Sequence, residues 1–362
     1  MRHRLNRLKH RARAELQQLA SVQHSDRPWQ MPVAAGLATG LPMLVGAWFD
    51  HLEYGLISSL GGLVFLYLPA TPLYHRMVSL MASAFGLTAC YALGVISHLF
   101  APAIIAALTV IAMLVTMVCR FYALGPPGGL FFVLAAAIGA HAPGDVLQIP
   151  LKVGLLAMGC LLACGIAFLY SLYMLRVRPA APVQPLPPPS FDFVVFDSVL
   201  IGLFVGLSLV LAQALQLQNA YWVPISCLAV IQGASLRAVW VRQAHRVLGT
   251  GIGLLVAWAV LSLPLDKWSI GVTMMVLAWL IETLVVRHYG IAVIFITPLT
   301  LLLADAASLG TTDPSLLIQA RFVDTLLGCA VGLAGGACLH APGVRKTLGP
   351  LLRRLVTGRP HA

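Results

Sequence analysis

The chain alternates between long apolar runs and short polar breaks, a pattern that predicts a bundle of membrane-spanning helices. The apolar segments lie at 31–49, 55–70, 77–97, 101–118, 128–141, 150–175, 194–215, 221–236, 245–263, 269–286, 289–304 and 316–341. A spanning helix needs about 20 apolar residues. The shorter segments 55–70, 128–141 and 221–236 are therefore expected to be tilted, broken or longer than these limits.

The second half of this pattern repeats the first at an offset of 167 residues. The matching pairs are Tyr54 and Tyr221, Ser59 and Ser226, Gly86 and Gly253, Arg120 and Arg287, Tyr122 and Tyr289, and Gly165 and Gly332. Each half has six apolar segments, an even number, so both halves should start on the same side of the membrane. The sequence predicts an all-α integral membrane protein of about twelve transmembrane helices, arranged as two parallel six-helix repeats.

Composition and charge support this topology. Hydrophobic residues make up 59% of the 362 residues and charged residues 10%, with a mean hydropathy of +0.89. A soluble domain carries about 25% charged residues. With the N-terminus inside and the segments alternating, 20 of the 23 Lys and Arg fall on the inner side, and only Lys152, Lys267 and Arg321 fall outside. The positive-inside rule therefore predicts that both termini are cytoplasmic.

Five regions follow from the pattern: a basic N-terminal segment (1–30), a first repeat (31–178), a proline-rich cytoplasmic linker (179–192), a second repeat (193–342) and a basic cytoplasmic tail (343–362). Six prolines within 179–189 predict an extended polyproline II spacer. The basic residues 1–27 lack a signal-peptide core, so we expect them to be retained. They would form a helix on the anionic inner leaflet, or only a solvated positive-inside signal; nucleic-acid binding is the weaker alternative.

No enzyme motif is present. The chain has no HExxH motif, nucleotide-binding loop, GxSxG motif or pair of carboxylates on one predicted face. Its seven cysteines form no CxxC pair, and small apolar packing is their simpler role. We therefore expect no catalytic residues, no metal and no cofactor. The lack of a nucleotide-binding loop argues against a self-contained ATP-driven pump.

The most specific local pattern begins at Tyr221, and it resembles the fusaric acid resistance and aromatic acid exporter family of bacterial inner-membrane proteins. The matching residues are Tyr221, Trp222, Gln232, Arg242, Arg246, Gly249, Thr250, Gly253 and Tyr289. The resemblance is clearest over 200–340 and weaker over 30–175, where His75 and Ser79 replace the two arginines. It implies a multi-pass inner-membrane exporter of aromatic or other organic acids. Its substrate-binding candidates are Arg242, Arg246, Thr250, Gln232, Tyr221 and Tyr289, and family members can use a separate periplasmic adaptor.

Arg242 and Arg246 can also be interpreted without the family. Spaced i and i+4, they share one helix face at the inner mouth of a span, where two guanidiniums would bind a carboxylate. The alternative is anchoring to lipid phosphate. Gly249 and Gly253 continue the spacing and would let another helix approach closely.

Two acidic residues inside apolar runs are candidates for proton coupling. Glu282 lies near Arg287 and His288, and Asp324 follows Arg321 at i+3. Intramembrane carboxylates are functional candidates by default. The alternative for Glu282 is a local ion pair near the inner interface, and the alternative for Asp324 is mutual neutralisation with Arg321.

Chain breaks mark a further candidate site, because interrupted spans in corresponding positions expose backbone groups that can hold a ligand. GPPGG at 125–129 breaks one span, and Pro298 should interrupt the corresponding span of the second half. The alternative for GPPGG is a tight cytoplasmic turn.

The sequence thus predicts an exporter of organic acids, driven by the proton gradient. The alternatives are a passive anion channel or a non-transporting envelope scaffold. The expected partners are the bilayer and a small organic acid, and nucleic acid is not expected. A periplasmic membrane-fusion adaptor and a homo-oligomer are left open.

Overall fold

The computed structural model describes residues 22–142, 144–186, 188–305 and 314–357, and this part of the chain is helical with no strand. The helices are α1 (Gln30–Trp48), α2 (Leu52–Gly62), α3 (Leu73–His98), α4 (Ala103–Phe121), α5 (Leu130–His141), α6 (Ile149–Val177), α7 (Asp197–Ala214), α8 (Trp222–Ile231), α9 (Leu236–Leu261), α10 (Lys267–Leu284), α11 (Tyr289–Asp305), α12 (Pro314–His340) and α13 (Pro342–Thr357). A 3₁₀ turn, Leu63–Tyr67, continues α2, and a π turn, Asp192–Phe196, leads into α7.

Eight of these helical segments are long and apolar enough to cross a membrane, so the chain is a multi-pass membrane protein. Four others, α2 with its 3₁₀ turn, α5, α8 and α11, are shorter apolar segments. All ten residues of α8 are buried. The long helices instead expose large apolar side chains such as Phe85, Leu169 and Leu255, which suits contact with lipid.

Helix α9 begins nine residues earlier than the sequence predicted. The Ser235 hydroxyl caps it by accepting a hydrogen bond from the backbone N–H of Ala238 at 3.2 Å. The prediction of a start at 245 was wrong because Arg237, Arg242 and Gln243 interrupt the apolar run in the first two turns. Arg242, which precedes the predicted segment, therefore lies within the helix together with Arg246.

Packing within each half follows one scheme. Helix α3 packs on α5 and α6, and α2 packs on α6; in the second half α9 packs on α11 and α12, and α8 packs on α12. The halves meet where α1 contacts α10 and where α4 contacts α7, while the short helices α5 and α8 also touch. The short helices are therefore enclosed by longer ones.

Glycines permit the closest approaches between the halves. A Cβ on Gly36 or Gly40 of α1 would meet Met275 of α10, and a Cβ on Gly202 or Gly206 of α7 would meet Thr109 of α4 or its neighbour Met113. Each pair is spaced i and i+4, so one glycine face lies against the partner helix. Small residues at this spacing let membrane helices pack through their backbones.

The C-terminal tail contains a helix that the sequence did not predict. Val344 and Leu352 of α13 pack on a buried cluster of Phe196, Leu200 and Leu339. Asp197 accepts hydrogen bonds from Arg120 and Arg345, each at 2.7 Å, and so joins α4, α7 and α13.

Two non-helical segments lie at the predicted inner face. Residues 179–186 and 188–190 of the linker are without helix, and the Ala181 N–H donates to the Ala70 carbonyl at 2.9 Å. Most of the predicted basic helix over 1–27 lies outside the described residues. Its described end, 22–28, is non-helical, so the predicted helix does not extend that far.

Candidate functional site

Three candidate residues form a row along one face of α9. Arg242, Arg246 and Thr250 are spaced four residues apart, so the row covers about 12 Å along the helix axis. Arg242 is half-buried, whereas Arg246 is 5% exposed and Thr250 is 2% exposed. The row therefore runs from an accessible end to the protein interior.

The accessible end of the row opens into a groove of about 370 Å³ between the inner ends of α9 and α10 and the start of α11. The predicted substrate-binding residues Arg242 and Tyr289 both line this groove. Its other polar side chains are Gln23, Ser235, Arg237, His245, Arg287 and His288, with no carboxylate among them. The rings of His245 and His288 lie 4.8 Å apart between centroids. The groove is therefore cationic and rich in aromatic surface.

Arg246 is buried without a partner among the described residues. Its Nε atom is inaccessible and makes no hydrogen bond. Its guanidinium lies close enough to Cys329 of α12 to act electrostatically on that thiol, as does the guanidinium of Arg321. A buried charge without a partner is costly, so this site favours an anion that would neutralise it.

Helix α12 faces α8 and α9 with a second charged pair. The guanidinium of Arg321 stacks on the Trp222 ring at 3.5 Å and donates to the Thr300 hydroxyl at 3.2 Å. Asp324 is 1% exposed, and neither carboxylate oxygen has a hydrogen-bond partner. Among the described residues, the Arg321 guanidinium and the Asp324 carboxylate do not form a direct ion pair.

Helices α9 and α12 run in opposite directions, which sets the depth of these residues. A side chain on Gly251 would meet Phe322, and one on Gly336 would meet Val239. Asp324 is therefore level with Thr250, near the middle of α9. The row on α9 leads from the groove to the depth of Asp324.

Glu282 has a different partner from the one the sequence suggested. Its carboxylate accepts a hydrogen bond from Arg27 at 2.8 Å, across a separation of 255 residues. Arg287 and His288 line the groove beside it. The fold brings the N-terminal segment to the end of α10, which no local pattern could indicate.

Tyr221 and Gln232 do not join the row. They flank α8 at opposite ends, where Tyr221 packs on His141 at 5.4 Å between ring centroids. The Gln232 amide lies against Gly128 and Gly129. These two predicted binding residues are thus separated by about 16 Å along the helix axis.

The two predicted chain breaks differ in the structure. In GPPGG, the Gly128 N–H donates to the Gly125 carbonyl at 3.0 Å, so the run forms a turn that ends before Leu130. The predicted interruption at Pro298 was wrong, because α11 is continuous from Tyr289 to Asp305. Proline removes the N–H that would bond the Ile294 carbonyl, and that carbonyl lies against Gly253, where the absence of a side chain leaves room.

The charged residues Arg246, Arg321 and Asp324 have no charged equivalents in the first half. At the 167-residue offset, Arg246 corresponds to Ser79, Arg321 to Gly154 and Asp324 to Ala157. The sequence pattern did not indicate that Trp222 is the platform for Arg321 or that His245 packs against His288. The identity of Trp222 was visible within the family pattern, but nothing local indicated its partner.

Comparison with known proteins gives a family match in the second half of the chain. Residues 207–335 match the sequence model described as "Fusaric acid resistance protein-like". The uncharacterized membrane protein YvaC of Bacillus subtilis (strain 168) is 32% identical over 142 residues, which cover 39% of this chain and 22% of that protein. The chain thus spans about a fifth of the length of the curated relative it matches. No solved structure matches. The predicted resemblance is confirmed over residues 207–335, which match this family model.

Proposed function

We propose that this protein is an inner-membrane transporter, not an enzyme, and that it exports organic acids, in particular aromatic carboxylates. The observation that carries the proposal is Arg246, a buried arginine whose Nε has no hydrogen-bond partner among the described residues, one helical turn inward from a cationic groove. A carboxylate would satisfy this charge. The match of residues 207–335 to the fusaric acid resistance protein-like family supports the same function.

In this proposal the twelve apolar helices α1–α12 are two parallel repeats, with both termini in the cytoplasm. Support comes from the packing, because contacts recur when α1–α6 are replaced by α7–α12. The pair α1 and α10 corresponds to α7 and α4, and the pair α3 and α5 corresponds to α9 and α11. The 20 Lys and Arg assigned to the inner side support a cytoplasmic position for the groove.

The substrate would enter through the groove. Arg242 binds the carboxylate, and the rings of Tyr289, His245 and His288 supply apolar surface for an aromatic body. The carboxylate then passes to Arg246 and to the hydroxyl of Thr250. Tyr221 and Gln232 would act at the two ends of α8 and not at this site.

Proton coupling is assigned to Asp324 ahead of Glu282. Glu282 is already paired with Arg27, whereas Asp324 lies level with Thr250 and, among the described residues, neither of its carboxylate oxygens is hydrogen-bonded. An ionised carboxylate in such a site is costly, and uptake of a proton removes that cost. Proton uptake and anion binding would thus occur at the same depth.

The test is transport in inside-out vesicles with an imposed pH gradient. We expect accumulation of an aromatic acid against its gradient, loss of accumulation in Arg246→Ala, and only partial recovery in Arg246→Lys. Lysine keeps the charge but loses the planar fork that grips a carboxylate at two points. Equilibration without accumulation would favour a passive channel, and no movement would favour a scaffold. A periplasmic adaptor and a homo-oligomer remain predictions.

A further inference from the structure

Residues 22–28, the inner strap, cross the inner ends of the helices and are tied down at three points. The Gln23 N–H donates to the Arg287 carbonyl at 2.8 Å, beside the groove. The Arg27 guanidinium donates to Glu282 at 2.8 Å. The Asp26 carbonyl accepts from Arg178, which follows α6, at 3.0 Å. The strap therefore links the last helix of the first half to α10 and α11 of the second.

The strap also forms part of the groove. Gln23 lines it together with Arg242, Arg287 and His288. A displacement of the strap would remove one wall of the groove and widen its opening. The position of residues 22–28 therefore controls access to Arg242.

The pair of Arg27 and Glu282 is the buried one of the three attachments. The Glu282 side chain is 9% exposed, and among the described residues Arg27 alone bonds its carboxylate. Gln23 and Asp26 are held through backbone atoms at exposed positions, which open readily. Loss of the ion pair leaves a buried charge unmatched and removes the strongest attachment of the strap.

We propose that the inner strap is a gate over the cytoplasmic groove and that the ion pair of Arg27 with Glu282 is its latch. Arg27 is then a positioning residue, which acts on access to the groove and not on the substrate itself. The importance of this gate for transport rests on the proposed function, but its opening and closing can be measured without transport.

The experiment measures how fast a cysteine in the groove reacts. Ala238→Cys places a thiol in the groove lining, and a membrane-impermeant maleimide is added to inside-out vesicles that contain the full chain. Labelling of the seven native cysteines, measured without the reporter, is subtracted. Size-exclusion chromatography confirms that each variant is folded.

Arg27→Gln and Glu282→Gln should each raise the labelling rate about tenfold, the change expected for loss of one charge-assisted hydrogen bond. The double variant should react no faster than either single variant, because both remove the same interaction. Arg176→Gln is the matched control, since this exposed arginine near the end of α6 lies outside the strap. It should leave the rate unchanged.

A variant that exchanges the two charges, Arg27→Glu with Glu282→Arg, should restore slow labelling because the ion pair can form again. Unchanged rates in both single variants, an additive double variant, or a folded exchanged pair that still labels fast would each overturn the latch. The expected rates in a protein that transports no organic acid would support the strap and refute the proposed function. Transport of an organic acid together with unaltered labelling in all variants would support the proposed function and refute the gate.

Discussion

Arg246→Met gives the sharpest test of the buried site, because it separates binding from stability. Methionine has a similar length and no charge, so it fills much of the same space in α9. Arg246 is only 5% exposed, and its Nε makes no hydrogen bond among the described residues. An arginine that only supports the fold would instead have partners within it.

The expected effects have opposite signs. Replacing buried charges by apolar side chains of similar volume is neutral or stabilises by about 1–4 kcal/mol. We expect Arg246→Met to keep or raise the Tm of the purified protein. Loss of a hydrogen bond to a charged group costs about 1.5–3 kcal/mol, so affinity for an aromatic carboxylate should fall about 10- to 150-fold.

The assays are thermal unfolding in detergent and equilibrium binding of the carboxylate. Arg242→Met is the matched control: it removes a half-buried guanidinium from the groove, so it should weaken binding with little change in Tm. A large fall in Tm for Arg246→Met, reversed by Arg246→Lys with normal binding, would refute the reasoning. Arg246 would then be a structural cation.

Four further predictions concern the rest of the bundle. Asp324→Asn should abolish accumulation driven by a pH gradient but keep substrate counterflow, because the amide keeps the shape and takes up no proton; intact accumulation would transfer the proton role to Glu282. Trp222→Leu should lower the free energy of unfolding by about 2–4 kcal/mol, measured by thermal unfolding, because it removes packing and the cation–π contact with Arg321. The control Trp240→Leu, at a position that is 51% exposed, should leave the stability unchanged. Gly206→Leu should clash with Thr109 and abolish a monodisperse chromatographic peak, while Gly165→Leu, where nothing lies within 4 Å of an added Cβ, should be tolerated. A reporter fused after Val183 should give a cytoplasmic signal, and a periplasmic signal would reverse the topology.

The sequence by itself determined the features that depend on nearby residues. Apolar run lengths located the eight long and four short apolar helices of the described residues, because a helix in a bilayer satisfies its backbone hydrogen bonds internally and needs only apolar side chains. The 3.6-residue period placed Arg242, Arg246 and Thr250 on one face of α9. The family pattern from Tyr221 onward indicated which segment carries chemistry.

Only the tertiary structure decided which charges meet. Glu282 pairs with Arg27 from 255 residues away. Arg321 lies on the ring of Trp222, and no described residue hydrogen-bonds the Asp324 carboxylate. No local period encodes such contacts, because they depend on which helices become neighbours. The enclosure of the short helices has the same origin. A helix too short to cross a bilayer can remain in the bundle when longer helices surround it. Hydropathy alone does not show this, because an apolar helix face can contact either another helix or lipid.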